Sequence, residues 1–338
     1  MTPTSEKNKV TCSYIHDDIA LSILSKLPIK SLKRFTCVSK SWSLLFQNPN
    51  FINLFRNNLV SKSHDDDDDD VCFLFVSYAF VSMFYLISGE RFQNVVNLDL
   101  PPPFENPFRR PFHIFCSAIN GIVCVYSSWD HSEVALWNPV TGEVKVIPPG
   151  LVEHLPNIHV FGTLCLHGFG YDHVRDDYKK SNSVSGVYLN GVCHWLGVSD
   201  DGKTSVVSYN LANDVFFTTP IVRHHRSYSI SRLVVLNGFL SMITDYYITK
   251  SYTISILGEI GVKESWIKLF DIGPSSYVNH VIAAGKNGNI FINKKNGKIA
   301  CFDLTTEVIE EIDFKGASRV CQIVLYKKNL GPIGGINS

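Results

Sequence analysis

The residues of this sequence that could do chemistry are histidines and cysteines that stand next to one another in the chain. Cys193-His194 has the residue types of a nucleophile and its base, and residues 223–226 (Arg-His-His-Arg) contain the types of a metal-binding pair. Adjacent side chains on a strand point to opposite faces, so neither pair predicts a shared site. The sequence contains no HExxH or GxSxG motif and no GxGxxG that opens a helix. We therefore expect no catalytic site, no metal site and no cofactor.

An acidic run and four tryptophans also have structural explanations. Asp65 to Asp70 lacks the spacing and the turn glycine of a calcium loop, and six like charges repel one another. We expect this run to be a solvated linker. The tryptophans at positions 129, 137, 195 and 266 are more typical of a packed core than of a ligand cage.

The composition favours an aromatic-rich β protein. Among 338 residues, 31 Lys+Arg balance 31 Asp+Glu, 12% are aromatic and 18% are charged. A net charge of zero gives no electrostatic reason to bind nucleic acid or an anionic membrane. The nine scattered cysteines form no CxxC, and the polar start lacks the apolar core of a secretory signal. These features predict reduced, buried thiols in a cytoplasmic or nuclear protein.

The apolar segment from Val71 to Ile87 approaches the length of a membrane helix but has the content of two strands. It contains no charge, and β-branched and aromatic residues dominate it. Ser77-Tyr78 and Ser82 interrupt it in the manner of a turn. We predict two buried strands and no membrane span.

Residues 15 to 60 carry helical periodicity. Positions 15, 19, 23 and 27 form one apolar stripe and positions 20, 21 and 24 a second, while Asn48-Pro49 marks a helix boundary. So short a helical unit buries little surface, and its surplus apolar faces indicate a partner. A helical cap that only packs on the following domain is the alternative.

The string from Ile15 to Phe51, with LPIKSL, CVSKSW and NPNF, resembles an F-box. This resemblance implies three helices that dock on the Skp adaptor of a cullin-RING ubiquitin ligase. The usual opening Leu-Pro is Ile15-His16 here, and His16 lacks the fixed φ of proline. The expected adaptor-facing residues are Ile15, Ile19, Leu24, Leu27, Pro28, Leu32 and Val38.

Two phrases recur after residue 71. Asn-Gly between apolar runs occurs at 120, 190, 237 and 287 and predicts hairpins with type I′ turns. A second phrase follows each of three Asn-Gly turns, in the segments 136–141, 208–213 and 301–306. Two hairpins per unit predict the four-stranded sheets of a β-propeller.

The motifs GFGYD, DDYK, YLNGVCHWL, WNPVTGE and GVKESWIKLF resemble the plant F-box-associated interaction domain, a kelch-like relative. The first Asn-Gly interval spans 70 residues, which is about 20 to 30 short of two units. In this family a further strand run follows DDYK, whereas here residues 179–183 lead almost directly to the next Asn-Gly. We therefore predict one truncated blade.

The sequence predicts a mainly β protein with a small helical N-terminal domain. The expected order is a disordered N-terminus (1–13), an F-box (14–60), an acidic linker (61–70), a kelch-like β-propeller (71–327) and a flexible tail (328–338). The expected function is a non-enzymatic, substrate-recognition subunit of a Skp-cullin-F-box ubiquitin ligase. The alternatives are a propeller that binds a glycan or small ligand through an aromatic-lined central face, and a truncated member without function.

Overall fold

The chain folds into two compact units, residues 1–58 and residues 59–338. The computed structural model describes residues 15–27, 29–35, 42, 44–61, 71–78, 82–89, 92–99, 112–127, 134–147, 168–172, 177–181, 186–199, 202–221, 229–273, 278–285, 288–312 and 320–333. The predicted disordered N-terminus, residues 62–70 of the acidic linker and the histidine pair at 224–225 lie outside these residues.

The first unit is helical. It contains α1 (Asp17–Leu24), α2 (Ile29–Phe35), a 3-10 turn (Leu45–Gln47) and the start of α3 (Pro49–Ser61). Asn48 ends the preceding segment and caps α3, because its Oδ1 accepts the backbone N–H groups of Asn50 (2.9 Å) and Phe51 (3.3 Å). Pro49 occupies the first helical position, where its missing N–H costs nothing. The Asn-Pro boundary predicted from the sequence is thus the start of this helix.

The second unit is built from antiparallel strands. In chain order they are β1 (Val71–Tyr78), β2 (Ser82–Ser88), β3 (Asn94–Leu98), β4 (Phe112–Ile119), β5 (Ile122–Ser127), β6 (Val134–Trp137), β7 (Val144–Ile147), β8 (Gly168–Asp172), β9 (Asp177–Ser181), β10 (Val187–Leu189), β11 (Val192–Val198), β12 (Thr204–Asn210), β13 (Val215–Pro220), β14 (Ser229–Leu236), β15 (Phe239–Tyr246), β16 (Ser251–Leu257), β17 (Trp266–Ile272), β18 (Val278–Ala284), β19 (Asn289–Lys294), β20 (Ile299–Asp303), β21 (Ile309–Glu311) and β22 (Val320–Lys327).

Five four-stranded sheets make a β-propeller. Blade 1 has the strand order β22-β1-β2-β3, blade 2 is β4 to β7, blade 3 is β10 to β13, blade 4 is β14 to β17 and blade 5 is β18 to β21. The strands β4, β10, β14, β18 and β22 are the inner strands, and neighbouring ones contact each other around the ring. Pairing of β22 with β1 closes the ring, from Val71 opposite Lys327 onward. The mainly β architecture predicted from the sequence is confirmed, whereas its kelch-like detail stays a prediction.

A two-stranded sheet lies between blades 2 and 3. β8 pairs with β9, and β8 contacts both β4 and β10. Among the described residues, no further strand joins this sheet before β10 begins at Val187. The sheet packs tightly on blade 3, since a Cβ at Gly170 would clash with side-chain atoms of Leu211 and Cys193. The truncated blade expected from the short first interval stays a prediction, because residues 148–167 and 182–185 on either side of this sheet lie outside the described residues.

Three of the four predicted Asn-Gly turns join the first and second strands of their blades, and Asn287 of the fourth lies outside the described residues. Asn120, Asn190 and Asn237 have φ of 51°, 50° and 47°, and the glycine after each also has a positive φ. Two successive positive φ values are the signature of the type I′ turn, which matches the twist of the hairpin strands. The hairpins β4–β5, β10–β11 and β14–β15 follow directly.

The second phrase forms the turn between the third and fourth strands. The side-chain oxygens of Asn138, Asn210 and Asp303 each accept a backbone N–H two residues later. In blades 3 and 5 the next residue reaches back to the Asn-Gly turn: Leu211 N–H donates to the Gly191 carbonyl at 3.1 Å and Leu304 N–H donates to the Gly288 carbonyl at 3.2 Å. In blades 3 and 5 the two phrases recur together because their turns meet at one end of the blade.

Residues 329–333 belong to the predicted flexible tail, but the structure holds them against blade 2. Asn138 Nδ2 donates to the carbonyls of Asn329 (2.9 Å) and Gly331 (3.2 Å), and the Ile333 N–H donates to Glu143 Oε2 at 2.9 Å. Ile333 is buried in the apolar cluster of that blade. Backbone hydrogen bonds and a buried apolar side chain therefore fix this segment, which carries no local sequence signal.

The segment from Val71 to Ile87 forms β1 and β2, as expected from its content. Phe73, Phe75 and Phe84 are buried there, and Phe73 packs edge-on against Phe291 of blade 5 with ring centroids 4.8 Å apart. Within the described part of the chain, no helix is long and apolar enough to cross a membrane. Four cysteines, at 72, 124, 193 and 301, are buried and unbridged.

Candidate functional site

The helical unit has a small apolar core. Leu24, Leu32, Leu45, Phe51 and Phe55 are all buried. The rings of Phe51 and Phe55, one turn apart on α3, stack with centroids 6.0 Å apart. A buried hydrogen-bond chain ties α3 to the end of α1: Asn58 Nδ2 donates to Ser25 Oγ at 2.7 Å, and Ser25 Oγ donates to the Ser22 carbonyl at 2.8 Å. The unit thus fixes the orientation of α1.

The outward face of α1 is apolar. Ile15, Ile19 and Ile23 follow one another at i, i+4 spacing and are 60%, 56% and 54% exposed. Leu44, just before the 3-10 turn, is 57% exposed. Isolated exposed apolar residues are ordinary, but an apolar stripe formed by Ile19 and Ile23 on α1 and by Ile15 just before its N-cap is the kind of surface that partners cover. We call Ile15, Ile19 and Ile23 the isoleucine stripe.

The residues predicted to face the adaptor fall into four groups. Ile15 and Ile19 lie in the isoleucine stripe, and Leu27 is half-buried. Leu24 and Leu32 are 4% and 0% exposed, so in this structure they face the core of the unit. The positions 28 and 38, a proline and a valine, lie outside the described residues. Their role toward a partner stays a prediction.

Ile23 and Leu44 are exposed residues that the predicted set omitted. Ile23 carries the same i, i+4 signal as Ile15 and Ile19, so periodicity alone points to it. Leu44 carries no comparable signal, because it precedes an irregular turn.

His16 stands at the N-cap of α1, where its side chain makes no capping hydrogen bond. Its carbonyl accepts the first helical N–H groups, from Ile19 at 3.0 Å and Ala20 at 3.1 Å. Asp17 and Asp18 lie in the first turn, where their charge suits the positive end of the helix dipole. Helix α1 therefore begins directly after position 16, although this position holds histidine where F-boxes usually have proline.

The Cys193-His194 pair is structural in this fold. His194 Nδ1 lies 2.8 Å from Ser208 Oγ, its partner across β11 and β12, and the imidazole is 1% exposed. Burial lowers the pKa of His194 to about 4, so the ring is neutral at physiological pH. Ser208 is fully buried as well. A serine and a histidine enclosed in this way cannot reach a substrate.

Metal ligands and a tryptophan cage are not found in the described part of the chain. No three His, Cys, Asp or Glu side chains there lie close enough together to hold a metal ion. Trp137 and Trp195 are buried in blade cores, and Trp266 packs against another. Trp129 lies outside the described residues.

The inner strands surround a cavity of about 830 Å³ in the propeller. Its aromatic lining consists of Phe115, Tyr126 and Tyr188 among the described residues. No tryptophan contributes to that described lining, so the stacking surfaces typical of a glycan site are few.

Comparison with known families decides the nature of the helical unit. Residues 13–54 match the model of the F-box domain. The N-terminal unit carries an F-box. Helices α1 and α2 lie wholly within the matched segment and α3 only begins in it, so the three-helix form of this F-box stays a prediction.

Relatives of the whole chain are F-box proteins too. The F-box/kelch-repeat protein At3g23880 of Arabidopsis thaliana is 25% identical over 298 residues, which is 74% of this chain and 77% of that protein. The F-box protein CPR1 of the same plant is 22% identical over 394 residues, which is 95% of this chain and 90% of that protein. The similarity thus extends from the F-box through the propeller.

Among solved structures, TolB from Acinetobacter baumannii aligns over 81% of this chain and 72% of its own, at 10% identity and a TM-score of 0.48. A likeness at that level carries no argument about function.

Proposed function

We propose that this protein is a substrate-recognition subunit of a Skp-cullin-F-box ubiquitin ligase, acting in the cytoplasm or the nucleus. The F-box binds a Skp-type adaptor, and the propeller binds the protein to be ubiquitinated. The chain itself carries out no catalytic step, because ubiquitin transfer belongs to other subunits of such a ligase. The observation that supports this best is the isoleucine stripe within the F-box.

The isoleucine stripe has the properties of a surface for a partner helix. Two β-branched side chains on α1 and a third just before its N-cap form an apolar surface, and each is more than half exposed in the free chain. Covering the exposed half of one such side chain removes apolar area worth about 1 to 1.5 kcal/mol, although binding also costs ordering entropy. We propose that Ile15, Ile19 and Ile23 contact the adaptor directly, joined by Leu27.

The buried predicted residues have a supporting role in this proposal. Leu24 and Leu32 lie in the core, so they hold α1 in place and contribute indirectly. A test that replaces Leu32 by Asp would unfold the F-box and could not separate docking from folding. Exposed positions are needed instead.

The test is a calorimetric titration of the full chain with a purified Skp-type adaptor. The double variant Ile19→Asp/Ile23→Asp places two charges in the stripe, and we expect the affinity to fall at least tenfold. The matched control is Ile230→Asp/Ile248→Asp, which alters two isoleucines that are 66% and 69% exposed on the propeller. Undiminished binding in the stripe variant would contradict the isoleucine stripe as the contact surface. An unaltered chain that binds no adaptor would contradict the adaptor role itself and favour the alternative of a family member without ligase function.

Target binding is tested with the same stripe variant. If the propeller captures targets for ubiquitination, the stripe variant retains the same proteins as the unaltered chain, but they carry less ubiquitin and persist longer. Equal turnover of the captured proteins with both chains would argue against a role in degradation.

A further inference from the structure

The cavity at the centre of the propeller has the size of a small-molecule site. Its volume of about 830 Å³ lies within the range of pockets that enclose organic ligands. It extends along β14 from Ile230 to Val235 and reaches the turn at Asn237, and the other four inner strands complete its wall. A pocket formed by five separate blades is shaped by the ring as a whole.

The wall is mainly apolar, and its polar side chains are already engaged. Gln322 donates to the Ile114 carbonyl at 3.0 Å and accepts the Ile114 N–H at 2.9 Å, which joins β22 to β4. The Tyr188 hydroxyl donates to the Tyr171 carbonyl at 2.9 Å. Ser231 Oγ lies 3.1 Å from Thr244 Oγ1. These groups use their hydrogen-bonding capacity within the protein and leave little for a polar neutral ligand.

Arg232 differs from the rest of the wall. It is the one charged residue among the described residues that line the cavity. Its Nη1 donates a long hydrogen bond, 3.4 Å, to the Ile282 carbonyl on β18, and a guanidinium has four further N–H donors. Burial lowers the pKa of Arg232, and Asp245 on β15 attracts the charge without forming an ion pair with it among the described residues.

A cation on the wall of an apolar cavity favours an anion in that cavity. The planar guanidinium matches the two oxygens of a carboxylate, and such paired hydrogen bonds strengthen where water is excluded. The apolar wall, with Phe115, Leu233 and Ile323, would cover the body of the same molecule. A carboxylate with an apolar body satisfies both features at once.

We propose that the central cavity binds a small organic carboxylate with an aromatic or aliphatic body, held by Arg232. This site goes beyond the adaptor role and does not depend on it, because the cavity belongs to the propeller alone. A ligand there would bridge blades 4 and 5, since Arg232 lies on β14 and its present acceptor lies on β18.

The test is calorimetric titration of the full chain, without adaptor, with benzoate, 3-phenylpropionate and hexanoate, each beside its primary amide. We expect at least one carboxylate to bind, with its amide at least tenfold weaker. Arg232→Met should lower the carboxylate affinity at least tenfold, and Lys268→Gln, an exposed lysine on the same blade, should leave it unchanged.

A second variant keeps the test valid if Arg232→Met unfolds the blade. Arg232→Lys retains the charge but loses the paired geometry, so we expect binding several-fold weaker than in the unaltered chain. The proposal is overturned if none of the three carboxylates binds, if the amides bind as tightly as the acids, or if a folded Arg232 variant keeps full affinity.

Discussion

The Tyr326 hydroxyl donates a hydrogen bond to the Gly121 carbonyl at 3.2 Å, in the place that a backbone N–H occupies in two other blades. In blades 3 and 5 that donor is the N–H of Leu211 or Leu304. Blade 2 has Pro139 at the corresponding position, and proline has no N–H to give. A side chain from the closing strand β22 therefore completes a contact that the local repeat cannot make.

Because the Tyr326 hydroxyl replaces the backbone N–H that Pro139 lacks, we expect mutations at positions 326 and 139 to have coupled effects on stability. Tyr326→Phe should lower the free energy of unfolding by about 1 to 3 kcal/mol, because the buried Gly121 carbonyl loses its donor. In a Pro139→Ala background the backbone N–H is restored, so the same change should cost markedly less. Urea unfolding of the four chains in a double-mutant cycle measures the coupling. Additive effects would show that the Gly121 carbonyl does not depend on Tyr326.

Two glycines at the same turn position should respond differently to alanine. Gly121 and Gly238 both end Asn-Gly turns, with φ of 73° and 77°, so alanine is strained at either site. A Cβ at Gly238 meets nothing within 4 Å, whereas one at Gly121 overlaps Asn329 Cβ. We expect Gly238→Ala to cost about 1 kcal/mol in unfolding free energy through φ alone.

Gly121→Ala should cost more than that, because it also displaces Asn329, whose Nδ2 donates to the Asn120 carbonyl at 2.7 Å. Hydrogen exchange at residues 329–333 provides the second readout. It should accelerate in Gly121→Ala and stay unchanged in Gly238→Ala. If the two variants lose the same unfolding free energy, displacement of residues 329–333 does not destabilise the protein.

The buried His194 predicts a stability that falls in mild acid. Its folded pKa is lowered to about 4 from an ordinary value of 6.5, so the unfolded chain binds the proton more readily. The stabilising contribution is therefore complete above pH 6.5 and is lost as the pH falls toward 4. Between pH 7.5 and pH 5 we expect a loss of about 2 kcal/mol from this residue.

The contribution of His194 is isolated by subtraction. His194→Asn keeps a hydrogen-bonding group beside Ser208 but does not titrate, so other groups cancel when its unfolding free energies are subtracted from those of the unaltered chain. Fluorescence of Trp195, the next residue on β11, reports the urea transition. A difference that is independent of pH would show that the fold does not lower the pKa of His194.

Local turn chemistry made much of the propeller predictable. Asn-Gly at 120, 190 and 237 predicts hairpins because these two residues tolerate the positive φ that the type I′ turn requires, and neither strand needs a distant partner for that choice. The short first interval indicated a reduced unit for the same reason: turns can be counted without knowledge of how blades pack.

Contacts between residues far apart in the sequence could not be predicted from local patterns. The docking of residues 329–333 on Asn138 joins residues almost 200 positions apart in the sequence, and no periodic pattern predicts it. The inward orientation of Leu24 was equally hidden, because α1 is apolar on more than one face and periodicity alone does not choose between them. The cavity residue Arg232 stood in an ordinary strand pattern, and only closure of the ring gives it apolar surroundings.

The pairing of β1 with β22 also determines when the propeller can close during synthesis of the chain. Cys72 and Tyr326 are 254 positions apart, yet Cys72 Sγ donates to the Tyr326 carbonyl at 3.4 Å. During translation, β1 therefore keeps an exposed edge until residues 320–327 have emerged from the ribosome. A message interrupted before codon 320 would yield a ring that never closes, and cellular quality control would remove it. The abundance of the protein is thus coupled to uninterrupted translation through β22.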